Sequence, residues 1–142
     1  MIEKTMKLTI VSAEAALFSG EVTRLIATGG SGELGIYPGH TALLTAIKPG
    51  TVEFILETGE SHVYYTSGGF LEVQPEVVTI LANTASRAED LDELAAQTAK
   101  EQAEAALSDK GKSVDYAQAM TELAEATAQL RAIQSIRKHI KS

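Results

Sequence analysis

Val52-Glu53-Phe54-Ile55-Leu56-Glu57-Thr58-Gly59-Glu60-Ser61-His62-Val63-Tyr64-Tyr65-Thr66 decides the fold of the first half of the chain. Val52, Phe54 and Leu56 alternate with Glu53 and Glu57 around Ile55, the period of a half-buried strand. Glu57-Thr58-Gly59-Glu60 is turn chemistry, and His62–Thr66 is rich in β-branched and aromatic residues. The stretch therefore predicts a hairpin. Upstream, Met6, Leu8 and Ile10 alternate with Lys7 and Thr9. Downstream, Phe70–Val73 and Val77–Ala82 are further short strands separated by Gln74-Pro75. Strands this short at near-regular spacing predict a sandwich or flattened barrel rather than alternating strand–helix units.

The pattern changes near Arg87–Asp90. Ten of the 11 glycines and all three prolines lie at or before Pro75. From Ala88 onward the chain is rich in Ala, Glu, Gln and Lys, which favour helix. Residues 1–87 are therefore expected to form a β domain, and residues 88–142 a helical pair. Asp90 with Glu93 has the form of a capping box, with Ser86 and Glu89 as an earlier alternative. Leu91, Leu94, Thr98, Ala103, Ala106 and Leu107 share one side at helical spacing. Ser108-Asp109-Lys110-Gly111-Lys112 breaks the run. Asp115 with Gln118 then caps a second helix with Tyr116, Met120, Leu123, Thr127, Leu130, Ile133, Ile136 and Ile140 as its apolar positions. A short loop between them predicts an antiparallel hairpin. Alanine permits close approach but buries little area, at about 25 cal/mol per Å². The packing is therefore expected to be weak and the helices to have more than one arrangement.

Composition excludes several function classes. The 142 residues include no cysteine, so disulfides, thiol chemistry and cysteine-based zinc sites are ruled out. That is compatible with a reducing compartment. A net charge of −7 argues against non-specific nucleic-acid binding. No apolar run approaches the roughly 18 residues of a membrane span, and the N-terminus lacks a secretion-signal core.

Motifs for chemistry are sparse. Gly30-Ser31-Gly32-Glu33-Leu34-Gly35 matches G-x-G-x-x-G, but Ile36-Tyr37-Pro38-Gly39 follows where a dinucleotide site needs a helix. The segment reads as a glycine-rich turn between strands. His40, His62 and His139 have no ligand spacing for a metal. Ser67-Gly68-Gly69 lacks the nucleophile elbow. Glu33 and His40 flank one loop. Three readings stand there: a solvated turn with a packing histidine, a partner contact, or an acid–base pair.

Charge order is the remaining feature. The net charge is −4 up to Arg87, −7 from Ala88 to Glu125 and +4 over the last 17 residues, which carry Arg131, Arg137, Lys138 and Lys141. Helix-dipole complementarity explains part of this. A basic amphipathic helix end that docks on an acidic partner explains the rest.

Gly32-Glu33-Leu34-Gly35-Ile36-Tyr37-Pro38-Gly39-His40 with Leu43–Gly50, and Ser67–Pro75 with Val78–Ala82, resemble the epsilon subunits of bacterial rotary F-type ATP synthases. Asp115–Ala119 and Ala128-Gln129-Leu130-Arg131 are similar to the proteobacterial form. The resemblance runs from about Met6 to Lys141. It implies an N-terminal β-sandwich, a C-terminal two-helix hairpin and a non-catalytic central-stalk subunit. Its implied partners are the gamma subunit, the c-ring and the beta and alpha subunits. Glu33 and His40 fall on the surface implied for gamma and the c-ring. Arg131, Arg137, Lys138 and Lys141 fall on the helix implied to reach beta and inhibit ATP hydrolysis. The implied location is the cytoplasmic face of the bacterial inner membrane, reached only through the complex.

Some members of that family bind ATP through an Ile/Leu-Asp-x-x-Arg-Ala motif and arginines on the second helix. Here the stretch is Leu91-Asp92-Glu93-Leu94-Ala95-Ala96. Asp92 remains, while Ala95 stands at the arginine position. Glu125 and Gln129 replace the second-helix arginines, and Ser86 an upstream acid. Without these phosphate donors ATP binding is expected to be weak or absent, and no cofactor is expected. The alternative to the family reading is a stand-alone β-domain binding module with an effector hairpin. An isolated enzyme has no site to support it.

Overall fold

Why the first half closes on itself follows from two long, interrupted strands. A computed structural model describes residues 5–29, 32–108 and 115–141, with side chains as far as Arg137. The strands are β1 (Met6–Val11), β2 (Ala16–Gly29), β3 (Gly32–Ile36), β4 (Leu43–Leu56), β5 (Ser61–Thr66), β6 (Gly69–Val73), β7 (Val77–Ala82) and β8 (Ala85–Arg87). Their order is β3-β2-β1-β7-β6-β4-β5-β8, and a further β2–β4 pairing folds the sheet over its own core. All pairings are antiparallel except β1 with β7. The expected sandwich or flattened barrel is what forms.

β4 turns the corner. Its Leu43–Ile47 half pairs with β6 and its Gly50–Ile55 half with β5. Pro49 sits at the switch, where a missing N–H forfeits no ladder bond. Gly50 passes so close to β2 that a Cβ there would lie 2.7 Å from the Thr28 side chain. β2 is bulged as well. Its register against β4 shifts between Val22 and Arg24, so Val22, Leu25 and Ala27 all face inward despite the odd spacing.

That irregularity hides β2 from a period-two reading. The glycine-rich segment differs from expectation too: Gly32–Ile36 is a strand paired with Leu25–Gly29, not a turn. A β-bridge to a neighbouring strand overrides the poor strand propensity of glycine.

The core comprises Met6, Leu8, Ile10, Val22, Leu25, Val52, Phe54, Leu71, Val73, Val78, Ile80 and neighbours, all from the strands. Phe18 packs on Phe54 with ring centroids 4.6 Å apart, and Tyr64 donates a long 3.5 Å hydrogen bond to the Leu17 carbonyl.

After β8 a 3₁₀ turn, Ala88–Asp90, leads to α1 (Glu93–Ser108) and then α2 (Tyr116–Lys141). The loop expected at Ser108–Lys112 lies, beyond Ser108, outside the described residues. Asp92, rather than Asp90, caps α1: its Oδ1 accepts the Ala95 N–H at 3.1 Å. Asp90 is already used by the 3₁₀ turn. Asp115 caps α2 as expected, with its Oδ1 accepting the Gln118 N–H at 3.0 Å.

α2 is the middle layer, between α1 and the sheet. Two stripes on opposite faces allow this. Ala119, Ala126 and Ile133, seven residues apart, are buried with Ala96 and Ala103 of α1. Ala128 and Ala132 are buried against Val63, Tyr65 and Ala88, with Leu91 and Ile136 at the margin. The expected apolar faces hold in part: Ala103 and Ile133 are buried and Leu91 and Ile136 pack on the sheet contact, whereas Leu94 is 77% exposed and Tyr116 and Met120 also face solvent. A helix covered on two sides buries alanine, because only small side chains admit two close neighbours. No helix among the described residues is long and apolar enough to cross a membrane.

Candidate functional site

Three surfaces stand out, and the described residues expected at sites fall on the first and the third. The first is at the ends of β3. Glu33 is exposed near its start, opposite Thr28. His40 lies beyond its far end, in the turn Tyr37-Pro38-Gly39-His40. The His40 N–H donates to the Tyr37 carbonyl at 3.1 Å, and Gly39 takes a φ of +86°. Proline second and a positive-φ glycine third make this a type II turn. The Gly39 N–H donates to the Pro75 carbonyl at 2.9 Å, tying the turn to the β6–β7 connection. His40 Nδ1 lies 2.6 Å from the Thr41 carbonyl, so Nδ1 carries a proton and donates it there. A strand separates Glu33 from His40 instead of a shared loop, and no contact joins them. They do not form an acid–base pair; Glu33 is exposed and His40 half-buried.

Glu33 instead lines a groove of about 430 Å³ with Lys48 and Gly50 on the sheet and Thr127, Ala128 and Arg131 on α2. One basic residue of the helix end thus lies beside the β-domain surface. Arg137 is engaged differently. Its guanidinium grips Glu93, at the start of α1, through both carboxylate oxygens, one contact at 3.0 Å. That hydrogen bond raises the Arg137 pKa, so it stays charged throughout. The side chains of Lys138 and Lys141 lie outside the described residues.

The second surface was missed from sequence. On the outer face of the sheet, Ala46, Phe70 and Leu81 are direct cross-strand partners, and Leu81 continues to Val11. Phe70 is 55% exposed and Leu81 49%, with Leu44 alongside at 70%. These side chains form a row of apolar groups across four strands, with Leu44, Phe70 and Leu81 open to solvent. The signal was present in Phe70-Leu71 and Ile80-Leu81, where both phases of the alternation are apolar. Gly69 sets the spacing of this row. With φ +148°, it brings β6 so near β7 that a Cβ would lie 2.1 Å from the Leu81 carbonyl oxygen.

The third surface is the cleft between the helices. Ser86 is the strand neighbour of Tyr65. Across from Tyr65 lie Glu125 and Gln129 of α2. Burial and the Glu125 charge push the Tyr65 phenol up to about 12, partly offset by a hydrogen bond from Gln129. The cleft of about 310 Å³ is lined by Ala99, Gln102, Ala103, Glu122, Glu125, Ala126 and Gln129, with no basic side chain among them. Asp92 is spent as a helix cap and Ala95 is exposed. Two carboxylates and no cation oppose a polyphosphate.

The comparisons with known proteins agree with the two-part fold. Residues 5–88 match the family described as ATP synthase, Delta/Epsilon chain, beta-sandwich domain. Residues 89–134 match ATP synthase, Delta/Epsilon chain, long alpha-helix domain. An ATP synthase epsilon chain of Chromohalobacter salexigens is 58% identical over 129 residues, covering 91% of this chain and 92% of its own. One of Legionella pneumophila (strain Corby) is 56% identical over 137 residues, covering 96% and 98%. Among solved structures, a chain of the Euglena gracilis mitochondrial ATP synthase, resolved with OSCP, F1 and c-ring, superimposes with a TM-score of 0.82. That pair is 26% identical, over 91% of this chain and 81% of the other. A chain of the Tetrahymena thermophila mitochondrial ATP synthase central stalk and c-ring matches in fold, with a TM-score of 0.61 at 15% identity and 94% and 99% coverage. The chain belongs to the ATP synthase delta/epsilon chain family.

Proposed function

We propose that this chain is the central-stalk epsilon subunit of a bacterial F-type ATP synthase, and that its helices inhibit ATP hydrolysis when they leave the β domain. The subunit carries no catalysis of its own. It couples rotation of the c-ring, through gamma, to ATP synthesis in the alpha–beta assembly. The observation that carries the reading is the placement of α2 between two layers through stripes of mostly alanine. Small contacts on both faces keep the docked and released states within a few kcal/mol, as a two-state element requires.

The exposed row of Leu44, Phe70 and Leu81 suits gamma. Glu33 and His40 face gamma or the c-ring from the two ends of β3. On release, Arg137 exchanges Glu93 for acidic groups of beta, joined by Arg131, Lys138 and Lys141. The carboxylate-lined cleft supports weak or absent ATP binding. A subunit with this role sits at the cytoplasmic face of the inner membrane, held there by the complex. The test is hydrolysis by an alpha–beta–gamma complex with the full chain and with residues 1–87. The inner core lies wholly between Met6 and Ala82, so the truncated domain retains it. Full-length chain should inhibit and the truncated form should not. Equal hydrolysis with both would overturn the inhibitory role.

A further inference from the structure

We propose that the first turn of α1 is an internal decoy for the basic end of α2, and that Ile136 with Arg137 is the element which that end presents to a partner. This rests on the reading that the released helices inhibit hydrolysis by docking their basic end on beta. Arg137 grips Glu93 through both carboxylate oxygens, one contact at 3.0 Å. Among the described residues this is the one ion pair between α1 and α2. It joins the start of one helix to the far end of the other, away from the connection between them. Beside it, Ile136 packs on the cluster of Val63, Tyr65 and Leu91. The cleft that Ile136 lines also carries Glu60 and Glu89, but His62 and Arg87 already hold those carboxylates. Glu93 is therefore the acid that Arg137 takes.

An apolar contact for Ile136, with a carboxylate for Arg137 beside it, is a compact recognition pattern. The bidentate guanidinium–carboxylate pair adds geometric specificity to charge. Both partners are about half exposed, so water and salt screen the pair and exchanging it costs little. A surface of beta that takes this end offers the same chemistry, a carboxylate next to an apolar side chain. It then competes with Glu93 for a single guanidinium. Glu93 thereby sets how readily the basic end is given up, because Arg137 held by α1 is withheld from beta. Removing the Glu93 charge strengthens inhibition. Removing Arg137 takes the contact away from both sides of the competition at once.

The test is the double-mutant cycle of Glu93→Gln and Arg137→Gln in the full chain, added at saturation to an alpha–beta–gamma complex. The readout is the ratio of inhibited to active complex, taken from residual hydrolysis. Glu93→Gln should raise that ratio about twofold to fivefold, the range of an exposed ion pair. Arg137→Gln should give a ratio at least about twofold below that of Glu93→Gln. Adding Glu93→Gln to Arg137→Gln should change nothing further. An unaltered ratio in Glu93→Gln would overturn the decoy. So would an equal effect of Glu93→Gln with and without Arg137, since Glu93 would then act only on the dipole of α1. Equal ratios for the two single variants would make Arg137 a clasp with no use on beta, against the proposal. Absence of inhibition by the parent chain would instead overturn the inhibitory reading beneath it.

Discussion

Ala132→Asp should detach the hairpin and leave the β domain folded. Ala132 is fully buried in the contact of α2 with the sheet, among Ala128, Val63, Tyr65 and Ala88. None of these is a cation. A carboxylate placed there loses its water with nothing in return, which costs several kcal/mol. The interface opposes this with the burial of Val63, Tyr65, Leu91 and Ile136. Each contributes at most about 1.5–3 kcal/mol gross, before the entropy of fixing the helix is subtracted. Release is therefore the cheaper outcome. Tyr65 reports it, because its pKa of about 12 is a consequence of the docked helix. The neutral phenol is favoured when docked, so this contribution to docking is fully present below about pH 10 and declines as pH rises from about 10 to 12, at up to about 1.4 kcal/mol per pH unit. Near-ultraviolet tyrosinate titration of the parent should show two of its four tyrosines ionising late: Tyr64, because it is buried in the β domain, and Tyr65. In the variant the Tyr65 step should move down toward the ordinary tyrosine value while the Tyr64 step and the main melting transition stay. An unchanged titration with α2 amides still protected would refute the reasoning. So would unfolding of the entire chain in one step.

Three further outcomes follow from particular contacts. Gly69→Ala should lower stability by about 3 kcal/mol or more, read by thermal melting, because its Cβ would meet the Leu81 carbonyl at 2.1 Å in a conformation reserved for glycine. Glu93→Gln should speed amide exchange over the start of α1, and added salt should do the same to the parent but not to the variant, since the Arg137 pair is exposed and screened. Calorimetric titration of the full chain with ATP should give no affinity in the micromolar range; such an affinity would overturn the reading of the cleft around Glu122 and Glu125.

The sequence made the layered plan legible through β1, the β4–β5 hairpin, β6 and β7, where alternation is clean. β2 and β3 were not legible. A bulge near Thr23 breaks the period of the one, and the glycines of the other read as a turn until a neighbouring strand pairs with them. The helices were found but their faces only in part: Ala103, Ile133 and Ile136 pack as expected. Leu94 and Met120 look like core at helical spacing but are exposed, whereas alanines, with Ile133 and Ile136, fill the two contacts of α2. Apolar periodicity assumes one covered side, and this helix has two. Val63-Tyr64-Tyr65 carried the corresponding signal, since a strand apolar in both phases is buried on both faces. Glu33 and His40 were identified as surface residues by motif, and the strand between them by the fold. The outward row of Phe70 and Leu81 required the register of β6 against β7, which no single sequence supplies.

The central claim is that hydrolysis is governed by whether α2 is docked. A chain without cysteine allows a direct test. Val63→Cys with Ala132→Cys places a disulfide within the cluster that joins sheet and helix. Hydrolysis by the alpha–beta–gamma complex is then measured with the oxidised and the reduced double variant. The account predicts full hydrolysis with the oxidised, locked chain and inhibition once it is reduced. Equal inhibition by the locked and the reduced forms would contradict it.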